Sequence, residues 1–94
     1  MEVRWLEDAL ADVRAIHRHI AAENPQAAAY VVRRIRQAGD KLATFGDRGR
    51  PGRWPGTREL VVSGTAYILP YRVLEGAIEI LRVFHGARRW PGSG

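Results

Sequence analysis

Residues 46–57, GDRGRPGRWPGT, carry four glycines and two prolines. That density excludes regular structure across them, and it divides a chain whose apolar pattern differs on its two sides. Before the divide, apolar residues recur every three or four positions, the period of a helix. After it come short β-rich runs bounded by turn residues. A chain of 94 residues punctuated in this way is an α+β chain, with the helices first and a sheet after.

The first helical stripe is Leu6, Ala9, Leu10, Val13, Ile16 and Ile20, predicting a helix over 6–22. Glu7 and Asp8 fall in its first turn, where the helix dipole favours negative charge. Asn24-Pro25 then restarts the chain: Asn is a good N-cap, and Pro suits the first helical position, where its missing N–H has no partner to lose. A second stripe follows in Ala28, Val31, Val32, Ile35, Leu42 and Phe45, with Gly46 as its expected C-cap. Gly39 lies inside this helix and marks either close packing or a weak point. With two or three residues between them, the helices must fold back as a hairpin. Leu10, Val13, Ile16, Val31, Ile35 and Leu42 are its expected core.

On the strand side, EVRW (2–5) is a short strand at best. RELVV (58–62) ends in a Ser63-Gly64-Thr65 turn, and YILPYRV (67–73) precedes a turn at Glu75-Gly76. Pro70 implies an edge position or a bulge. IEILRVFH (78–85) is apolar on both faces and reads as a central strand. The expected order is β-α-α-β-β-β, a three-stranded antiparallel meander with the hairpin on one face and the other face open. The length fits one domain over 1–94, with 46–57 as a basic loop and 86–94 as a basic tail. A domain this small buries only about 60–65% of its unfolded surface.

The chain has no cysteine, which excludes disulfides and thiolate metal sites and favours a reducing, cytoplasmic setting. MEVRWLEDAL has no apolar secretory core, and no stretch approaches a membrane span. His17 and His19, two apart on a helix, point to different faces and read as surface residues, so no metal or cofactor is expected. The Gly-rich GRPGRWPG lacks the Lys-Ser/Thr pair of a phosphate loop.

The net charge of +5 is one-sided. Residues 1–47 balance seven basic against seven acidic side chains, whereas 48–94 hold eight basic against three acidic. A one-sided positive field suits an acidic partner, a nucleic acid or an acidic protein segment. Arg33, Arg34 and Arg36 form a run expected to be a solvated helix face.

The first helix LEDALADVRAIHRHI, the REL strand, YILPYRV and the closing ILRVFHGARR together resemble the RelE/ParE superfamily of toxins from type II toxin–antitoxin pairs, over nearly the whole chain. The resemblance implies a cognate antitoxin whose extended C-terminal segment wraps the toxin. It also implies one of two targets: the ribosome and its mRNA, cut by RelE-like members, or DNA gyrase, poisoned by ParE-like members.

RNA cleavage needs a general base, a general acid and cations to stabilise the developing charge. RelE-like nucleases place lysines on the strand before the turn, an arginine after the first tyrosine of the YxxxY stretch, an arginine after the last strand and a tyrosine in the tail. Here the strand before the turn is Arg58-Glu59-Leu60-Val61-Val62, the residue after Tyr67 is Ile68, and the tail has Trp90. Arg88 alone matches. A second nuclease variety, built on a C-terminal histidine, could be imitated by Arg58, Arg82, His85 and Arg88.

A ParE-like toxin needs only a binding surface, and Arg and Trp are the usual anchors of interfaces. Arg53, Trp54, Arg58, Arg72, Arg82, Arg88, Arg89 and Trp90 are the candidates, with Trp54 and Trp90 alternatively folded back over the edges of a small core. The expected function is therefore gyrase inhibition. RelE-like mRNA cleavage is the alternative, and a relic that only binds its antitoxin and helps repress their promoter is a third reading.

Overall fold

The computed structural model describes residues 1–86. Strand β1 (Glu2–Trp5) leads into helices α1 (Glu7–Ala21) and α2 (Pro25–Asp40). A 3-10 turn (Lys41–Ala43) follows, then strands β2 (Arg50–Pro51), β3 (Arg58–Val61), β4 (Tyr67–Leu74), β5 (Ala77–Ile80) and β6 (Phe84–His85). The strands form one mixed sheet in the order β1-β5-β4-β3-β2, with β6 on the first half of β4. The expected antiparallel meander is β3-β4-β5, and β1 joins it parallel to β5.

Asn24 caps α2 as its sequence suggests, its side chain accepting from the Ala27 N–H at 3.0 Å with Pro25 at the start of the helix. The hairpin lies on one face of the sheet. Ala9, Val13, Ile35 and Leu42 from the helical half meet Leu69, Tyr71, Ile78, Ile80 and Val62 from the sheet in one core. Leu10, Ile16 and Val31 are only half-buried. Gly39 marks close packing: a Cβ there would run into the Trp5 ring and Ile80.

Four expectations need correction. Helix α2 stops at Asp40, so Lys41 rather than Gly46 is its C-cap. With the stripe ended, Phe45 is 48% exposed. The 46–57 segment is not wholly irregular, since Arg50 and Pro51 pair with Glu59 and Arg58. The run 78–85 is not one central strand: β4 occupies the centre, and 78–85 is broken into β5 and β6.

Pro70 explains the break. It lies in central β4 and is among the largest fully buried residues. Its carbonyl accepts from the Leu81 N–H at 2.9 Å, but it has no N–H to return the bond. Between the pairs Ile68↔Phe84 and Tyr71↔Ile80, two residues of β4 face three residues, Leu81 to Val83. The one-residue excess is a β-bulge, the second of the two placements that Pro70 allowed.

Candidate interaction surface

Cross-strand partners point to the same face of a sheet. Arg58 stands opposite Tyr71, which stands opposite Ile80, so Arg58 belongs to the helix side and not to the open face. There its Nη1 donates to the carbonyls of Gly49 at 2.9 Å and Asp47 at 3.3 Å. The buried Tyr71 holds the same loop from below. Its hydroxyl donates to the Gly46 carbonyl at 2.9 Å and accepts from the Gly49 N–H at 2.8 Å. Burial raises the Tyr71 pKa above its ordinary value, partly offset by the Gly49 hydrogen bond.

Glu59 secures the other side of the loop. It is only 4% exposed, so its charge needs partners. It accepts from the Arg53 N–H at 3.0 Å, with Arg50 Nη2 at 3.6 Å and Arg53 Nε at 3.5 Å. The Arg53 guanidinium also lies 5.0 Å from the centre of the Phe84 ring. Trp54 is 42% exposed, and its carbonyl accepts from the Thr57 hydroxyl at 2.6 Å. The basic loop is therefore fixed in place by Tyr71, Arg58 and Glu59.

On the face away from the helices, Arg4, Glu79 and Arg72 form one cross-strand row. Arg72 donates to Glu79 at 2.7 Å through Nε. Arg82 is in the bulge and makes a two-pronged ion pair with Asp12 of α1, Nε at 2.7 Å and Nη2 at 3.0 Å. The same carboxylate accepts from the Val83 N–H at 2.9 Å, a donor that the bulge has taken out of the ladder. The Asp12 hydrogen bond is the leading cause that raises the Arg82 pKa. His85 meets Tyr67 edge-on, with ring centres 5.5 Å apart.

The described candidates thus do not form one basic patch. Arg58 holds loop carbonyls, Arg82 holds Asp12, Arg72 holds Glu79, and Arg53 is drawn to Glu59. Arg58 lies on the helix side of the sheet, opposite the open face. Arg88, Arg89 and Trp90 lie outside the described residues. Sequence reading missed Asp12, Glu59, Tyr71 and Glu79, which organise the surface. Glu59 carried a faint signal, a carboxylate inside a strand beside a basic loop. Asp12, seventy residues from Arg82, carried none.

The profile of the ParE toxin of type II toxin-antitoxin system, parDE, matches residues 3–90. The chain belongs to the ParE toxin family. Among relatives of this ParE-family toxin, the Y4kP protein of Sinorhizobium fredii is 45% identical over 89 residues, 95% of this chain and 92% of that protein. Toxin RelE2 of Caulobacter vibrioides is 39% identical over 93% of this chain and 97% of its own length. In a structure of the chromosomal ParDE system of P. aeruginosa, a chain superposes with a TM-score of 0.83 at 31% identity, covering 90% of this chain and 95% of that one. The RelBE2 toxin–antitoxin complex of Mycobacterium tuberculosis gives 0.62 at 29% identity, covering 89% and 95%. The α+β fold expected from the residues, two helices on one face of a sheet, matches these solved chains.

Proposed function

We propose that this ParE-family toxin acts in the cytoplasm by binding and poisoning DNA gyrase, and that a cognate antitoxin encoded beside it holds it inactive. The observation that carries this reading is the engagement of Arg58 and Arg82, two of the arginines a nuclease would need. Stabilising a cleaving phosphodiester requires cations free to meet developing charge, whereas Arg58 is tied to two loop carbonyls and Arg82 to Asp12. Position 68, beside the first tyrosine of YxxxY, is Ile68, only 7% exposed. A binding surface needs no acid–base set, and a hydrogen-bonded loop presenting a half-exposed Trp54 beside Arg53 suits an interface. The likeness to chains of ParDE and RelBE systems supports the antitoxin partner.

The test is a cleavage assay with purified gyrase and supercoiled plasmid. Linear DNA should accumulate after detergent and protease treatment when the toxin is present, and the cognate antitoxin should suppress it. His85→Ala should retain most of this effect. Ribosome-dependent mRNA cleavage by the wild type, abolished in a folded His85→Ala variant, would replace this reading with the RelE-like one. Absence of both activities, with antitoxin binding intact, would leave the relic that serves only in repression.

A further inference from the structure

The sheet order ends in β1 on one side and β2 on the other, and the two edges are finished differently. Strand β2 is two residues long and contains Pro51, and both properties discourage an added strand. Strand β1 runs four residues, Glu2–Trp5, without a proline. Its inner side pairs parallel with β5, Glu2 opposite Ala77 and Trp5 opposite Ile80. The Glu2 N–H donates to the Gly76 carbonyl at 3.2 Å and the Leu6 N–H to the Ile80 carbonyl at 3.1 Å. Main-chain groups alternate sides along a strand, so Glu2, Arg4 and Leu6 face β5, while Val3 and Trp5 turn their N–H and C=O groups outward. Among the described residues, no strand other than β5 pairs with β1.

The side chains along this edge alternate in charge. On the face away from the helices, Arg72, Glu79 and Arg4 form a cross-strand row of sign plus, minus, plus. Glu2 stands two residues before Arg4 on the same face. The two are exposed and pair with each other at 3.2 Å, but an exposed pair of this kind contributes little and exchanges partners readily. On the helix face, Trp5 is tucked beneath α2. Its indole N–H donates to Asp40 at 3.3 Å, and the Arg36 guanidinium lies 4.8 Å from its ring centre. A Cβ on Gly39 would meet that ring, so the ring packs inward and leaves the edge open. Charges on an edge strand usually keep other strands away. Here they have opposite signs two residues apart, which makes one register self-complementary.

From this geometry we infer that β1 is a homodimerisation edge, pairing antiparallel with β1 of a second copy about a two-fold axis at Val3. In that register Val3 faces its own counterpart, and the two exchange both main-chain hydrogen bonds. Glu2 of each copy then faces Arg4 of the other in the closer, non-hydrogen-bonded kind of pair. The row becomes Arg72, Glu79, Arg4 and the second copy's Glu2, alternating in sign throughout. Centring the axis on Arg4 would instead oppose Arg4 to itself. A parallel arrangement would oppose Glu2 to Glu2 and Arg4 to Arg4, and like charges directly opposite are destabilising. A patch that meets its own copy about a two-fold axis is closed, so association stops at two. The axis is perpendicular to the sheet, so both helical hairpins lie on one face of a continuous sheet. A uniformly acidic or basic segment fits this edge less well, because a row of alternating sign selects neither charge. The inference is independent of the gyrase reading, since it concerns self-association alone.

The test is sedimentation equilibrium of the untagged full chain across a concentration series, with amide chemical shifts followed in parallel. A monomer–dimer equilibrium should appear, and the Val3 and Trp5 amide shifts should depend on concentration. Val3→Pro should weaken dimerisation by about ten-fold or more, since it removes the outward N–H and leaves the ladder to β5 intact. Circular dichroism checks that this variant folds. Glu2→Arg and Arg4→Glu should each weaken dimerisation by a similar factor, because each sets like charges opposite one another. Mixing these two variants should restore pairing as a heterodimer, in which opposite charges meet again at both positions. A monomer at every concentration would overturn the inference, and so would a dimer unchanged by both Val3→Pro and Glu2→Arg. Failure of the folded mixture to pair would overturn the register. A dimer lost in Val61→Lys but kept in the β1 variants would move self-association to the β3 edge and sink the assignment to β1.

Discussion

Single carboxylates and one hydroxyl decide how the second half of this chain is held. Asp12 joins α1 to the bulge by accepting from both Arg82 and the Val83 backbone. Asp12→Ala should therefore leave a guanidinium and an N–H without their partner. The expected loss is about 1–3 kcal/mol in chemical denaturation, with Asp12→Asn losing less because it can still accept from Val83. Tyr71 is the counterpart beneath the loop. Tyr71→Phe should cost about 1–3 kcal/mol through the unsatisfied Gly49 N–H and Gly46 carbonyl. It should also change the alkaline limb of stability. A phenol whose folded pKa is raised contributes stability that is present below its unfolded value, about 10, and is lost as pH rises through the folded value. The wild type should thus lose stability more steeply than Tyr71→Phe above pH about 10, as read by denaturant midpoints across that range. None of these residues is visible as special in the sequence. Asp12 sits on the polar face of an amphipathic helix, and its role exists only once residue 83 leaves the ladder.

At the level of elements, local pattern carried most of the architecture. The three-and-four spacing of Ala9, Val13 and Ile16 in one helix and of Ala28, Val31, Val32 and Ile35 in the other is enough to phase both, because only one face of each can be buried. Asn24-Pro25 locates the joint between them with the chemistry of a cap. Ile35→Ala should lower stability by about 2–4 kcal/mol, measured by thermal or denaturant unfolding; an unmoved midpoint would mean the helix phase is wrong. Gly39→Ala should also destabilise, by about 1–3 kcal/mol through overpacking against Trp5 and Ile80, although the same change favours an isolated helix. The parts that local pattern missed have a common cause. Phe45 continued the apolar spacing of α2, but the backbone had already tightened into a 3-10 turn. IEILRVFH looks continuous, yet its continuity depends on Pro70 in another strand, whose missing N–H is opposite Leu81. Pairing decides where such a strand breaks, and pairing is not a property of one segment.

For the whole molecule, the sequence and the fold distribute charge differently. Along the chain the excess of +5 belongs to residues 48–94, which hold Arg53, Arg58, Arg72 and Arg82. Folding brings Asp12 from the neutral half onto Arg82 and sets Glu59 and Glu79 among the others. Among the described residues, the cations without a carboxylate within 4.0 Å include the α2 run expected to be a solvated face, and Arg33 and Arg36 stack on Tyr30 and Trp5 instead. Among the described residues, the positive field should therefore be strongest at α2 and its flank. Such a field acts mainly on the rate of encounter with an acidic partner and falls off beyond about 10 Å at 0.1 M salt. Arg33→Glu with Arg36→Glu should slow association with the cognate antitoxin several-fold at low salt and leave dissociation nearly unchanged. The difference should close as salt rises. Arg72→Glu, which replaces a cation already paired with Glu79, should alter the association rate less than the α2 pair does. Stopped-flow association across a salt series separates the two surfaces: an equal or larger effect from Arg72→Glu would put the steering field back on the open sheet face.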